Sequence, residues 1–182
     1  MTELCDIAFK YGTDKCPQIK HHFTEFYHEM FKDRRETVKK VVEIGIGLFP
    51  TKNTIGASLY MWRDYFPNAM IYGADIDPSL LFTDERIETI WCDQTNAEDL
   101  RRLISIVGND VDLFIDDGLH TPASQGFTCT TIMPLLENPI YVVEDAGYLD
   151  FLSQLTDYNC QVLRRSKRKY NDDRLVVVRK KQ

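Results

Sequence analysis

Strand-like and helix-like patterns alternate along this chain from about residue 40 onward, and that alternation restricts it to βαβ units around a largely parallel sheet. The apolar runs are VKKVVEIGIG (38–47), AMIYGADI (69–76), RIETIWC (86–92), VDLFID (111–116) and PIYVVED (139–145). Helical patterns lie between and after them: 55–66, 97–108, 122–136 (bent or ended by Pro134) and a short one over 149–158. The tail then reads as two strands, CQVLRRS and LVVVRKK, joined by a turn-rich loop around KYNDDR. A hairpin joins antiparallel strands, so the last strand must run against an otherwise parallel sheet. The expectation is a Rossmann-like, doubly wound α/β fold with seven strands and an antiparallel C-terminal hairpin. One domain spans 1–182, with 1–37 as a helical cover over the sheet's carboxyl edge or one face and 38–182 as the core. HHFTEFYHEMF (21–31) is the clearest amphipathic piece of that cover.

In such a sheet, residues just past the carboxyl ends of strands line the ligand crevice. Asp116, Asp117 and His120 follow the fourth run, and Glu144 and Asp145 end the fifth. Singly, such acids are usually solvated or cap a helix. Together they offer oxygen ligands for a hard cation, Mg²⁺ ahead of Mn²⁺ or Ca²⁺ and well ahead of zinc, with an imidazole beside it as a general base. The lone-histidine candidates His21, His22 and His28 read as surface or packing residues.

The first run ends in Glu43-Ile44-Gly45-Ile46-Gly47, and Gly56 opens the following helix. Glycines there let the backbone turn and approach a ligand. Asp75 ends the second run, where a carboxylate can accept both hydroxyls of a ribose, and Asp93 ends the third, within reach of an adenine amino group. The crevice suits an adenosine moiety. A dinucleotide fingerprint needs its third glycine at position 50, which is Pro50, so S-adenosylmethionine is favoured over NAD.

The remaining composition sets limits on partners. A net charge of -6 over 182 residues argues against a nucleic-acid surface, and the basic cluster Arg164, Arg165, Lys167, Arg168, Lys169 reads as a solvated hairpin face. Five scattered cysteines without a C-x-x-C pair read as reduced thiols, mostly buried. No apolar run reaches membrane-spanning length and the N-terminus has early acids in place of a leader, so a cytoplasmic location is expected, with no membrane partner.

The strings KYGTDK (10–15), VVEIGIG, GASLYMWRDYFPNAMIYGADIDP (56–78), CDQ (92–94), IDDGLH and YVVEDAG occur in one order, and that order resembles the class I S-adenosylmethionine-dependent methyltransferases. In particular the chain is similar, from about residue 8 to 148, to the metal-dependent sugar O-methyltransferases, a group that includes macrolide deoxysugar enzymes and cephalosporin hydroxylase-like proteins. The resemblance implies a cofactor loop of Glu43, Gly45 and Gly47, with Thr13, Lys15 and Ser58 near the methionine carboxylate. It implies Asp75 at the ribose, Asp93 and Gln94 framing the adenine, and a divalent cation on Asp117, Glu144 and Asp145 with His120 as base. Asp116, at the same strand end, is counted with the cofactor-binding residues.

Two departures from that group stand out: Leu119 occupies a position commonly held by Ser, and the segment after Asp145 is short where larger members build an acceptor cap. The acceptor expected is a sugar hydroxyl, such as one of a deoxyhexose like rhamnose in a glycan or glycoside, or another small molecule with vicinal hydroxyls. A metal-dependent catechol or small-phenol O-methyltransferase is the nearest alternative, a non-catalytic cofactor-binding scaffold a more distant one, and a homo-oligomer is possible.

Overall fold

A computed structural model describes residues 1–47, 55–164 and 173–181. Two helices come first, α1 (Glu3–Tyr11) and α2 (Phe23–Phe31), followed by β1 (Lys40–Ile44), α3 (Ala57–Tyr65), β2 (Met70–Asp75), β3 (Thr83–Asp84), β4 (Ile87–Trp91), α4 (Ala97–Val107), β5 (Leu113–Asp116), α5 (Pro122–Ile132) and β6 (Ile140–Val143). The chain closes with β7 (Tyr158–Arg164) and β8 (Arg174–Lys180). They form one eight-stranded sheet in the order β3-β4-β2-β1-β5-β6-β8-β7. β4, β2, β1, β5 and β6 are mutually parallel, whereas β8 runs antiparallel to both β6 and β7. The reversed final strand is the one the terminal hairpin demanded.

Two expectations change. The sheet has eight strands instead of seven, because the two-residue β3 pairs antiparallel with the edge of β4; a strand that short carries no hydrophobic period to read. The helix expected over 149–158 shrinks to a 3₁₀ turn, Asp150–Gln154. Tyr158 is instead taken by the hairpin, where seven register pairs from Tyr158↔Lys180 to Arg164↔Arg174 outweigh local helix preference. α5 does end ahead of Pro134, at Ile132. Residues 48–54 and the basic cluster beyond Arg164 lie outside the described residues.

Strand residues alternate between two cores with the period of a pleated sheet. Val41, Leu113, Ile115, Val142 and Val177 pack with Leu59, Trp62 and the aromatic residues of α2, while Val42, Phe114, Tyr141, Val143 and Val176 pack with Leu100, Leu103, Cys129 and Ile132 of α4 and α5. The N-terminal helices therefore share one face with α3, and the segment between them crosses the carboxyl edge of the sheet. Cys5, Cys16, Cys92 and Cys129 are buried free thiols and Cys160 is exposed on β7. Among the described residues, no helix is long and apolar enough to cross a membrane.

Candidate active site

The sheet order puts β1 beside β5 at the point where the chain, having wound outward through β2 and β4, returns to wind the other way. That switch point is where open α/β sheets hold ligands. A cleft of about 850 Å³ opens there, lined by the strand ends Gly45–Gly47, Asp75, Asp93, Gln94, Asp117, His120 and Asp145 and by Thr13 and Lys15 from the N-terminal segment.

The geometry of the β1 loop explains its glycine. Gly45 has φ of +88°, and a Cβ there would lie 2.1 Å from the carbonyl oxygen of Asp117. The β1 and β5 loops are thus in backbone contact, which brings the cofactor-loop candidates next to Asp117. Asp75 ties the same loop from the other side, with Oδ2 accepting from the Ile46 N–H at 3.0 Å and Oδ1 from the Asp77 N–H at 3.0 Å. Ser58 lines the cleft and hydrogen-bonds to Glu43. Gln94 also lines the cleft, but its amide is committed to the protein: Nε2 donates to Asp116 Oδ1 and Thr128 Oγ1, both at 3.1 Å, while Oε1 accepts from the Leu119 N–H. Its place is that of a strut under the 117–120 turn, and a Cβ on Gly118 would meet Gln94 Oε1 at 1.9 Å. Asp93 faces the cleft and holds the N–H and hydroxyl of Thr95.

At the β5 and β6 ends, Asp117, His120 and Asp145 each offer an atom within 4.8 Å of the others. His120 Nε2 lies 3.2 Å from Asp117 Oδ1 and Nδ1 lies 3.7 Å from Asp145 Oδ2. The Asp117 hydrogen bond, outweighing burial and helped by the Asp145 charge, raises the imidazole pKa to about 9. Burial and then the Asp117 charge push Asp145 up to about 7. Asp145 sits in the left-handed region at φ 47°, a conformation that Asp tolerates better than most residues. Two carboxylates at this spacing suit a hard divalent cation, with the imidazole beside them as an acid–base group.

Glu144 stands outside that group. It is fully buried, and its carboxylate is turned to the Lys15 ammonium and to the Tyr27 hydroxyl, which donates at 2.7 Å. Lys15, expected near a methionine carboxylate, is held among three carboxylates of the chain: Glu144, Asp117 at 2.5 Å and Glu43 at 3.2 Å. Burial opposes the ammonium, and these three acids outweigh it, so its pKa stands well above the ordinary lysine value. For Asp117, burial is likewise outweighed, here by Lys15 and His120, and its pKa falls.

Glu43 and Asp116, expected in the cofactor site, also lie behind its wall. Glu43 accepts from Trp62 Nε1 at 2.7 Å, and Asp116 accepts from Gln94 and from the Tyr141 hydroxyl at 3.2 Å. Burial raises both, Asp116 to about 7. The residues that sequence reasoning passed over are these internal partners, Tyr27, Trp62 and Tyr141, together with His21. His21 is not on α2 and not at the surface; it is buried against the acids of the carboxyl edge. One signal for such partners was present: so many acids converging on one edge require a buried cation, and Lys15 sits in the only motif of the N-terminal segment.

No family model matches the chain. It is 36% identical over 144 residues to the 8-demethyl-8-alpha-L-rhamnosyl tetracenomycin-C 2'-O-methyltransferase of Streptomyces olivaceus, covering 78% of this chain and 37% of that one. Among solved structures it is similar to the MycE methyltransferase of the mycinamycin biosynthetic pathway in complex with Mg, SAH and mycinamycin VI, at 37% identity and TM-score 0.69 over 79% of this chain and 37% of that one. The MycE methyltransferase in complex with Mg and SAH, in crystal form 1, matches 98% of this chain and 55% of that one, at 29% identity and TM-score 0.77. The chain is a homologue of these sugar O-methyltransferases. It shares their class I methyltransferase fold and spans little more than a third of the length of the first relative, 37%.

Proposed function

We propose that this chain forms a single methyltransferase domain that transfers a methyl group from S-adenosylmethionine to a hydroxyl of a sugar, with a divalent cation, Mg²⁺ first, at the carboxyl edge. The observation that carries the reading is the group Asp117, His120 and Asp145 opening into the same cleft as the β1 glycine loop. The tetracenomycin relative, named for a rhamnosyl acceptor, and the Mg and SAH of the MycE complexes support the acceptor class and the cofactors.

When bound, S-adenosylmethionine supplies the methyl group and the cation a Lewis acid that favours the ionised form of an acceptor hydroxyl. The chain's own residues do the rest. Asp117 and Asp145 face the cleft with carboxylates fitted to hold the cation. His120, 41% exposed at its side chain, is the acid–base group nearest to them that an acceptor can reach; a cation on Asp117 and Asp145 would offset the carboxylate charge that raises its pKa, and the neutral ring would then take the hydroxyl proton. Asp75 and the β1 loop hold the adenosine side, and the separation of the two sides by the 117–120 turn aligns donor and acceptor for in-line attack. Vicinal hydroxyls of a sugar, held in one orientation, present the oxygen to be methylated.

The test is methyl transfer from S-adenosylmethionine to a panel of rhamnosides and other deoxyhexosides, with mass spectrometry of the acceptor. Methylated glycoside should form with Mg²⁺, stop with chelator and return when Mg²⁺ is restored. Full turnover in chelator refutes the cation reading. Methylation of catechols but of no glycoside moves the acceptor to small phenols.

A further inference from the structure

The N-terminal segment brings a second imidazole to the acids of the carboxyl edge. His21 is 2% exposed and precedes α2, with its backbone N–H on the Asp14 carbonyl at 2.8 Å. Its ring lies flat on Phe23, centroids 4.5 Å apart and planes 5° from parallel. That stack sets the ring plane, and in that plane both nitrogens meet carboxylates. Nδ1 is 3.3 Å from Asp173 Oδ1, at the entry to β8, an oxygen that also accepts from the His22 N–H at 3.4 Å. Nε2 is 3.4 Å from Asp145 Oδ1 and 3.7 Å from Asp14 Oδ2.

Asp145 is therefore held between two imidazoles. One oxygen, Oδ2, looks to His120 in the cleft at 3.7 Å, and the other, Oδ1, looks back to His21. Among the described residues neither Asp145 Oδ1 nor His21 Nε2 makes a hydrogen bond to any other group, and two buried polar atoms facing each other at 3.4 Å need only a few tenths of an ångström to satisfy one another. The need is real, because an unsatisfied buried polar atom costs about 1–3 kcal/mol. Asp145 follows the last strand residue of β6 by two positions and has a left-handed backbone, so no helix or ladder fixes its side chain.

We infer that His21, braced by Asp173, is a positioning residue that aims the Asp145 carboxylate into the cleft and so sets the affinity of the cation site. The inference rests on the cation reading proposed above and adds to it a group from outside the cleft. It assigns a task to the segment between α1 and α2: the same stretch that supplies Lys15 to Asp117 supplies His21 to Asp145, so both carboxylates of the candidate cation site are held from behind by a residue of the N-terminal cover.

The experiment measures Mn²⁺ affinity by electron paramagnetic resonance on the chain saturated with S-adenosylhomocysteine, with no acceptor present. His21→Phe keeps a ring to stack on Phe23 and removes both nitrogens; His21→Gln restores one N–H toward Asp145. Loss of an orienting partner of a metal ligand typically costs 10–100-fold in affinity, so His21→Phe should raise the Mn²⁺ dissociation constant by roughly that factor. S-adenosylhomocysteine affinity measured without cation should stay within about twofold, since that site lies across the cleft, and His21→Gln should recover most of the Mn²⁺ loss. Wild-type Mn²⁺ affinity in His21→Phe overturns the inference. So does a parallel loss of both ligands with no recovery in His21→Gln, which is the behaviour of a packing residue. If His21→Phe does not fold, Asp173→Asn is measured in the same way, where a several-fold weaker Mn²⁺ affinity supports the brace and an unchanged one overturns it. A wild type that binds no Mn²⁺ overturns the cation site itself, and this inference with it.

Discussion

The acids at the strand ends divide into two sets that share a sequence setting and differ in where they face. Glu43, Asp116 and Glu144 are sealed, each at most 1% exposed, each bonded to side chains of the chain, and each raised in pKa by burial. Asp75, Asp93, Asp117 and Asp145 face the cleft. The contrast is sharpest in the pairs Asp116/Asp117 and Glu144/Asp145, neighbours in the chain with opposite fates. Successive residues leaving a strand point to opposite sides, so a doubled acid supplies one group for the wall and one for the ligand. A sealed acid fixes the loop; its neighbour is thereby presented.

This division predicts that the sealed set fails in stability and the facing set in function. Lys15→Ala should have the largest effect, because it strands Glu43 and Glu144 as buried acids without their cation. Breaking a buried pair costs about 3–5 kcal/mol, readable as a lower urea midpoint, and a loss under about 1 kcal/mol would show that Lys15 is not what neutralises these acids. His120→Ala belongs to the facing set: it should fold with wild-type stability and bind S-adenosylhomocysteine normally, yet lose turnover by roughly 10²–10⁴-fold. Near-normal turnover would reduce His120 to an orienting role. Asp75→Ala should have a smaller effect, weakening S-adenosylhomocysteine by about 1.5–3 kcal/mol in calorimetry. Unchanged affinity there would mean that Asp75 serves only the Ile46 and Asp77 backbone, and the comparison would have to move it to the structural set.

How much of this was legible beforehand follows from the range of the signals. Alternating apolar runs are local, and they located β1, β2, β4, β5 and β6, the helices between them and the reversed hairpin. The crossing point of β1 and β5 followed from the glycine loop and the doubled acids. What local patterns do not carry is which member of a doubled acid turns inward, since that depends on what lies across the sheet: Tyr27 for Glu144, Tyr141 for Asp116, Trp62 for Glu43. Gln94 lines the cleft as expected, but its commitment to the protein was hidden for the same reason, because its hold on the Leu119 N–H is a contact over 25 positions. His21 looked like a helix residue beside His22, and only the arrival of Asp145 and Asp173 from the far end of the chain gives it carboxylates on both nitrogens.

The Lys15 cage also orders events in time. Its contact with Glu144 spans 129 positions and that with Asp117 spans 102, so the ammonium is made well before its full set of partners. At a synthesis rate of about 5–20 residues per second, Lys15 waits roughly 6 to 26 s for Glu144 to follow it. Through that interval Glu43 and then Asp117 are made, and the three-carboxylate set is complete only with Glu144. Closure of the cage is thus a late, long-range step that reports completion of β1, β5 and β6 together, and the cleft takes its final shape only when the whole parallel sheet is in place.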